Sequence, residues 1–98
     1  MTYSLVLLPE ADAEAAEAFA WYQAQRPGLG DEFLLALEAT MELLRRSPLV
    51  FRELYKNARK ARLRRFPYVV IYLVDGDTVI VVSVHHTSRN PARWRRRL

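Results

Sequence analysis

The chain has 98 residues, 51% of them hydrophobic, and it carries a net charge of +4 and no cysteine. This length favours one domain spanning residues 1–98, and the lack of cysteine excludes disulfide bonds and thiolate metal sites. No apolar stretch approaches the roughly 20 residues that span a bilayer, and the first residues do not resemble a signal peptide. We therefore expect a cytoplasmic protein without a membrane segment, a cofactor or a metal ion.

The charge is divided unevenly along the chain. Residues 1–44 hold eight acidic side chains and one basic side chain, a net charge of −7, whereas residues 45–98 hold three acidic and fourteen basic side chains, a net charge of +11. Such an asymmetry indicates that the two halves meet different surroundings. A basic half can bind nucleic acid or an acidic protein, and charge alone does not distinguish these partners.

The first predicted elements are a strand and a helix. The apolar run 3–8 predicts a first or edge strand, and Pro9 is suited to the first turn of a helix that continues to about Gln25. Alanines recur along this helix about once per turn and predict a face for close packing against a second helix or a partner: Ala13, Ala16, Ala20 and Ala24.

A second helix follows a short loop. Pro27, Gly28 and Gly30 interrupt the helical pattern, and Asp31 can cap a helix that runs to about Arg46. The apolar side chains of this helix share one face at offsets of three and four, namely Phe33, Leu34, Leu37, Met41 and Leu44. The two helices are expected to form an antiparallel hairpin.

Three strands complete the predicted fold. After an irregular stretch over 51–59, alternation over 61–66 indicates a half-exposed strand, and the run 68–74 is apolar on both faces, as in a central strand. Asp75-Gly76 is typical of a tight hairpin turn, and a further apolar run returns. The order predicts an α+β domain with a strand, an antiparallel helical hairpin and a three-stranded antiparallel meander, followed by a short C-terminal tail.

One face of this predicted sheet needs a cover. The helical hairpin can cover one face, but the last two strands are apolar on both, so the tail, a second subunit or a partner chain must cover the other. Trp94 in the arginine-rich tail is expected to pack on the sheet, because an indole is rarely left exposed without use. Only the last few residues are expected to fray. The tail arginines are then solvated, bind phosphates without specificity, or face an acidic partner or a target.

Three segments carry a family resemblance: WYQAQRPGLGDEF at 21–33, RFPY at 65–68 and VHHTSRNPARW at 84–94. In this order they resemble the RelE/ParE superfamily, toxins of bacterial type II toxin–antitoxin modules that are often labelled plasmid-stabilisation proteins. The resemblance implies the same order of elements and a cognate antitoxin that wraps an extended or helical segment over the toxin, as a hetero-oligomer. It also implies a target, which is DNA gyrase for ParE-like members and messenger RNA on the ribosome for RelE-like nucleases.

The RelE-like branch implies catalytic residues that this chain matches only in part. Lys60 and Arg62 fit the basic positions of the second strand, and Arg89 lies two residues beyond the position of an arginine that follows the last strand. Val69 occupies the position of an arginine in the third strand, and the tail has no tyrosine where one is implied. Enzymatic activity is therefore not the favoured interpretation.

His85 and His86 are alternative candidates for a nuclease, because an imidazole titrates near neutral pH and can act as acid or base. Neighbouring strand residues point to opposite faces, so only one of the two could serve a shared site. If Ile80, Val82 and Val84 face the helices, His86 faces them as well and His85 faces away. We favour a structural role for both, since a motif without its partners is weak support.

The ParE-like branch implies binding surfaces instead of a catalytic site. The expected target contacts are Arg64, Arg65, Arg89, Arg93 and Trp94. The expected antitoxin contacts are Trp21, Tyr22, Leu34 and Tyr72. Each set also has a purely structural interpretation. The arginines would then only be solvated, and the aromatic residues would only fix the helical hairpin to its neighbours. Three hypotheses remain open: a ParE-like inhibitor of gyrase, a ribosome-dependent endoribonuclease, and a detoxified relative that only binds its antitoxin.

Overall fold

The fold combines one sheet with two long helices. In the computed structural model, which describes residues 2–98, the elements are β1 (Ser4–Leu7), α1 (Pro9–Gln25), α2 (Leu29–Arg46), a 3-10 turn (Pro48–Val50), β2 (Glu53–Tyr55), β3 (Ala58–Arg62), β4 (Tyr68–Asp75), β5 (Thr78–His86) and α3 (Ala92–Arg95). The sheet order is β1-β5-β4-β3-β2, with β1 parallel to β5 and the other pairs antiparallel. The predicted α+β class, helical hairpin and meander are confirmed.

The meander differs from its prediction around its first strand. β3 begins at Ala58 and ends at Arg62, so the strand expected over 61–66 lies too late in the chain. Arg65 has a φ of 71°, which a strand does not accommodate. The stretch expected to be irregular contains β2, which pairs with β3 through a two-residue turn in which Lys56 and Asn57 both have positive φ, as a tight hairpin requires.

The turn between β4 and β5 also lies one residue later than predicted. Asp75 pairs with Thr78, so the turn residues are Gly76 and Asp77. Gly76 has a φ of 61°, which suits a glycine at the first position of a hairpin turn.

The main core lies between the two helices and one face of the sheet. Helix α2 contributes Phe33, Leu37, Met41 and Leu44, as predicted, while Leu34 lies at the edge of that face and is 39% exposed. Helix α1 contributes Ala11, Ala15, Ala18 and Tyr22. The alanines predicted to pack against a second helix or a partner do not pack against α2, because Ala13, Ala16, Ala20 and Ala24 are exposed; packing against a partner stays a prediction.

The helices approach each other closely at Gly30. Its backbone N–H donates to Gln23 Oε1 at 2.9 Å, and a Cβ atom at this position would lie 2.7 Å from the Phe19 carbonyl oxygen. Only glycine therefore allows this crossing. The helix begins at Leu29 with Gly28 at the N-cap, so the prediction that Asp31 caps it is wrong, and Asp31 lies in the first turn instead.

The opposite face of the sheet is covered by the C-terminal segment. A second cluster joins Ala58, Val69, Ile71 and Val82 to Trp94, which is 3% exposed. Of the tail, a second subunit and a partner chain, it is thus the tail that covers this face of the sheet. The packing expected of Trp94 is confirmed. The last residues do not fray as expected, since Leu98 packs against the same cluster.

The side chains of β5 change face at a β-bulge. The pairing with β4 shifts register between Ile71 and Tyr72, so Val82 lies on the outer face while Val81 and Val84 belong to the main core. The prediction that Val82 and Val84 share the helical face is therefore wrong, because a bulge inserts one residue into the alternation. Within residues 2–98, no helix is both long enough and apolar enough to cross a membrane.

Candidate functional site

The predicted nuclease residues of the outer face lie in one row across the sheet. Arg62 pairs with Val69, and Val69 pairs with His85. Because neighbouring strands are about 4.8 Å apart, the backbones of Arg62 and His85 are separated by roughly 10 Å. Val69 stands between them, is 5% exposed and contacts the Trp94 cluster. The space between the two basic side chains is therefore occupied by apolar groups.

His85 is held in a structural position. Its side chain is buried, and its Nε2 lies 3.1 Å from the carbonyl oxygen of Arg89, to which it donates a hydrogen bond. Burial lowers the pKa of His85 below its ordinary value, and the hydrogen bond to Arg89 opposes this only in part. A neutral imidazole thus ties the end of β5 to the segment that leads into α3.

His86 lies on the face of the sheet opposite to that of His85, as the alternation of neighbouring strand residues predicted. Its ring lies edge-on to the ring of Tyr68, with centroids 5.0 Å apart. Its Nδ1 accepts hydrogen bonds from the backbone N–H of Ser88 at 3.1 Å and from the Ser88 hydroxyl at 2.8 Å. The two histidines leave the sheet on opposite faces, yet both reach the cleft at the end of β5.

A cleft of about 530 Å³ lies between α1 and the ends of β4 and β5. Its α1 wall includes Glu17, Ala18 and Trp21, and its sheet side includes Pro67, Tyr68, Val84 and His86. Arg89 and Arg93, from the segment after β5, also line the cleft, as do His85 and Glu14. The indole of Trp21 is 59% exposed although its ring contacts Tyr22. The cleft is thus partly aromatic and partly cationic.

The Tyr68 ring connects this cleft to the main core. It packs edge-on against Tyr22 and Phe33, and burial raises the pKa of its hydroxyl, while the positive charge of Arg89 acts in the opposite direction. Within residues 2–98 neither Arg89 nor Arg93 forms an ion pair. Both guanidinium groups are therefore free to meet an anion.

A partly buried ion pair at the edge of the cleft fastens the C-terminal segment. Arg97 donates to both carboxylate oxygens of Glu14, at 2.9 Å and 3.0 Å, and to the carbonyl oxygen of Val82. Glu14 also accepts from the Ser83 hydroxyl and the Val84 N–H. Since β1 pairs with β5 only as far as Val81, these two side chains satisfy the backbone groups of β5 beyond that point.

The environment of Glu14 keeps its carboxylate charged. Burial would raise the pKa of Glu14, but the hydrogen bonds from Arg97 and Ser83 outweigh burial and hold the pKa below its ordinary value. The hydrogen bond from Glu14 raises the pKa of Arg97 in turn. Neither residue was predicted from the sequence, because an acid in the first turns of a helix and an arginine in a basic tail are ordinary features that carry no pairing signal.

The family of the chain follows from its match to known proteins. The model of the family described as ParE toxin of type II toxin–antitoxin system, parDE, matches residues 5–91. The chain belongs to the ParE toxin family. A search of curated proteins finds no match.

Solved structures of two toxin–antitoxin systems share the ParE-like fold of this chain. The chromosomal ParDE system from P. aeruginosa aligns with a TM-score of 0.67 and 17% identity, covering 89% of this chain and 98% of that chain. The toxin–antitoxin complex RelBE2 from Mycobacterium tuberculosis aligns with a TM-score of 0.64 and 22% identity, covering 88% of this chain and 99% of that chain. At these sequence identities the similarity shows a shared fold.

Several predicted contact residues of this ParE family member are buried. Tyr72 is fully buried, its hydroxyl donates to the carbonyl oxygen of Pro48 at 2.6 Å, and burial raises its pKa to about 12. Tyr72 therefore offers no surface to an antitoxin, and Trp94 offers none to a target, because both side chains fill clusters of the fold. Tyr22 is 9% exposed and reaches the surface only as part of the cleft.

The remaining predicted contacts lie on the surface in different places. Arg65 pairs with Glu32 at 2.9 Å, and Arg26 binds the same carboxylate at 3.0 Å, so Arg65 holds the β3–β4 loop against the helical hairpin. Arg64 is exposed in that loop, and Lys60 is exposed on β3. Within residues 2–98, no three histidine or acidic side chains come together as metal ligands would.

Proposed function

We propose that this ParE family member arrests growth by binding its target in the cytoplasm, with DNA gyrase as the target that the family resemblance implies, and that a cognate antitoxin neutralises it. Family membership supports a toxin of a type II module. The row formed by Arg62, Val69 and His85 is the observation that favours a ParE-like toxin, which acts by binding, over a RelE-like nuclease.

Cleavage of RNA without a metal needs a base, an acid and cations that all reach one phosphate. On the outer face, Arg62 and His85 are separated by a buried valine, and His85 is bound to a backbone carbonyl. His86 lies on the other face, beside Tyr68. Arg62 and His85 are therefore not placed to reach one phosphate together.

A RelE-like nuclease is the second candidate, favoured by one observation. Lys60, Arg62 and His85 share the outer face, since their strand partners Ile71 and Val69 belong to the Trp94 cluster. A substrate that displaced the C-terminal segment would meet all three side chains. Such a nuclease would cut messages within translated codons.

Controlled expression without the antitoxin separates the candidates. We expect growth arrest with intact transcripts, and an equal arrest by the double variant Lys60→Ala/Arg62→Ala, because both side chains are exposed and their loss leaves the fold intact. Cleaved messages, together with loss of toxicity in the double variant, would establish the nuclease instead. Normal growth with the folded wild-type protein would indicate a detoxified relative that only binds its antitoxin.

A further inference from the structure

The cleft brings together residues that the sequence assigns to different partners. Trp21 is predicted as an antitoxin contact, and Arg89 and Arg93 as target contacts, yet all three line the same space of about 530 Å³. Concave sites of this size hold ligands or inserted side chains of a partner. One occupant can therefore contact both kinds of residue at once.

The apolar half of the cleft is ready to bury a side chain. Trp21 is the large aromatic residue left most open by the fold, at 59% exposure, and it lines the cleft together with Ala18 and Tyr68. Exposed aromatic groups in a concavity are the usual anchors of protein interfaces, because their burial removes much apolar surface from water.

The charged half of the cleft is ready to bind a carboxylate. Arg89 and Arg93 have no acidic partner within residues 2–98, whereas Arg26, Arg65 and Arg97 each have one. The Tyr68 hydroxyl likewise makes no hydrogen bond to residues 2–98. A carboxylate at this end would gain two charge-assisted hydrogen bonds and one from a phenol.

The opposite wall disfavours a polyanion. Glu17 lines the cleft on α1 and has no cationic partner among the described residues, while Glu14 beside it is neutralised by Arg97. A nucleic-acid backbone carries a charge at every nucleotide and would lie against Glu17, which Coulomb repulsion opposes. A peptide can place its carboxylate at the arginines and an apolar side chain at the α1 wall.

We propose that the cleft binds a segment of the antitoxin that has an apolar or aromatic side chain next to an aspartate or glutamate. The apolar side chain lies between Trp21 and Tyr68, and the carboxylate lies between Arg89 and Arg93. This inference rests on the proposed function, because it names how the neutralising partner is held. Occupation of the cleft would also cover the two arginines predicted to meet the target.

The test uses the product of the gene next to this one, both whole and as overlapping peptides. Binding is measured by calorimetry to the wild type, to Trp21→Ala and to Arg89→Glu/Arg93→Glu. A matched control, Arg46→Glu/Arg52→Glu, reverses two exposed arginines far along the chain from the cleft. We expect affinity to fall about tenfold or more in the first two variants and to stay within about twofold in the control.

A fluorescence measurement locates the bound segment. The chain has two tryptophans, so the variant Trp94→Phe leaves Trp21 as the reporter, and its emission should move to shorter wavelength when an acidic peptide binds. Unchanged emission, or unchanged affinity in both cleft variants, would overturn the cleft proposal while leaving the proposed function standing. Displacement of the peptide by a short RNA would assign the cleft to nucleic acid and overturn the proposal as well. If the whole neighbouring protein does not bind the wild type, both proposals fail.

Discussion

Arg97 and Glu14 are the residues on which the position of the C-terminal segment depends. Their side chains are 14% and 13% exposed and are joined by two hydrogen bonds, and each also binds the backbone of β5. A partly buried charge that loses its partner is costly, because it has given up water without compensation. Disruption of this pair should therefore affect both stability and the docking of the tail.

We expect Arg97→Ala to lower the free energy of unfolding by about 2–3 kcal/mol at neutral pH, since it leaves Glu14 charged and half of its hydrogen bonds unmade. Urea denaturation checks this value. The control Arg96→Ala removes an exposed neighbour and should change stability by less than about 0.5 kcal/mol.

The same pair makes the effect of Arg97→Ala depend on pH. The pKa of Glu14 is lowered in the folded protein, so its contribution to stability is present above the ordinary value of 4.5 and is lost as the pH falls through the lower folded pKa. The difference between wild type and Arg97→Ala should therefore shrink in acid. A difference that stays constant down to pH values well below 4.5 would show that the ion pair is not its cause.

At the scale of elements, the tail acts as part of the sheet. Trp94 from α3 packs onto Val69, Ile71 and Val82, which would otherwise face water. Arg95 extends this cover, because its guanidinium lies over the Tyr55 ring, 4.8 Å from the ring centroid. The second face of the sheet is thus covered by the chain itself.

We expect Trp94→Ala to lower the free energy of unfolding by about 3–5 kcal/mol, the usual cost of removing a buried large aromatic side chain. Trp21→Ala is the matched control, because Trp21 is mostly exposed, and it should cost less than about 1 kcal/mol. Equal stability of the two variants in urea would contradict the packing of the tail on the sheet.

The sequence predicted elements where one periodicity prevailed. The apolar face of α2, the central strand β4 and the order of the elements follow from the residue pattern, and the family resemblance implied the same order. The packing face of α1 was wrong because two rows of alanine are equally spaced, and only Tyr22 marks the buried row. The bulge at Val82 was not predicted, since the valines on either side of it and of Ser83 give no sign of where the alternation shifts. The Glu14–Arg97 pair joins residues 83 positions apart, so no local sequence pattern could predict it.

At the scale of the whole molecule, the uneven charge along the chain places acidic side chains on the helical layer and basic side chains on the sheet and the tail. The acidic half of the chain forms β1 and both long helices, and the basic half forms β2 to β5 and the tail. The cleft lies where the two meet, with Glu17 on one side and Arg89 and Arg93 on the other. A partner that enters it therefore touches both layers.

The central claim is that this ParE family toxin acts by occupying its target. A gyrase supercoiling assay, titrated with the purified toxin, tests it most directly. We predict inhibition that rises with occupancy, saturates as toxin and gyrase reach comparable concentrations, and is reversed by the antitoxin. Unchanged supercoiling at saturating concentrations of folded toxin would contradict the claim.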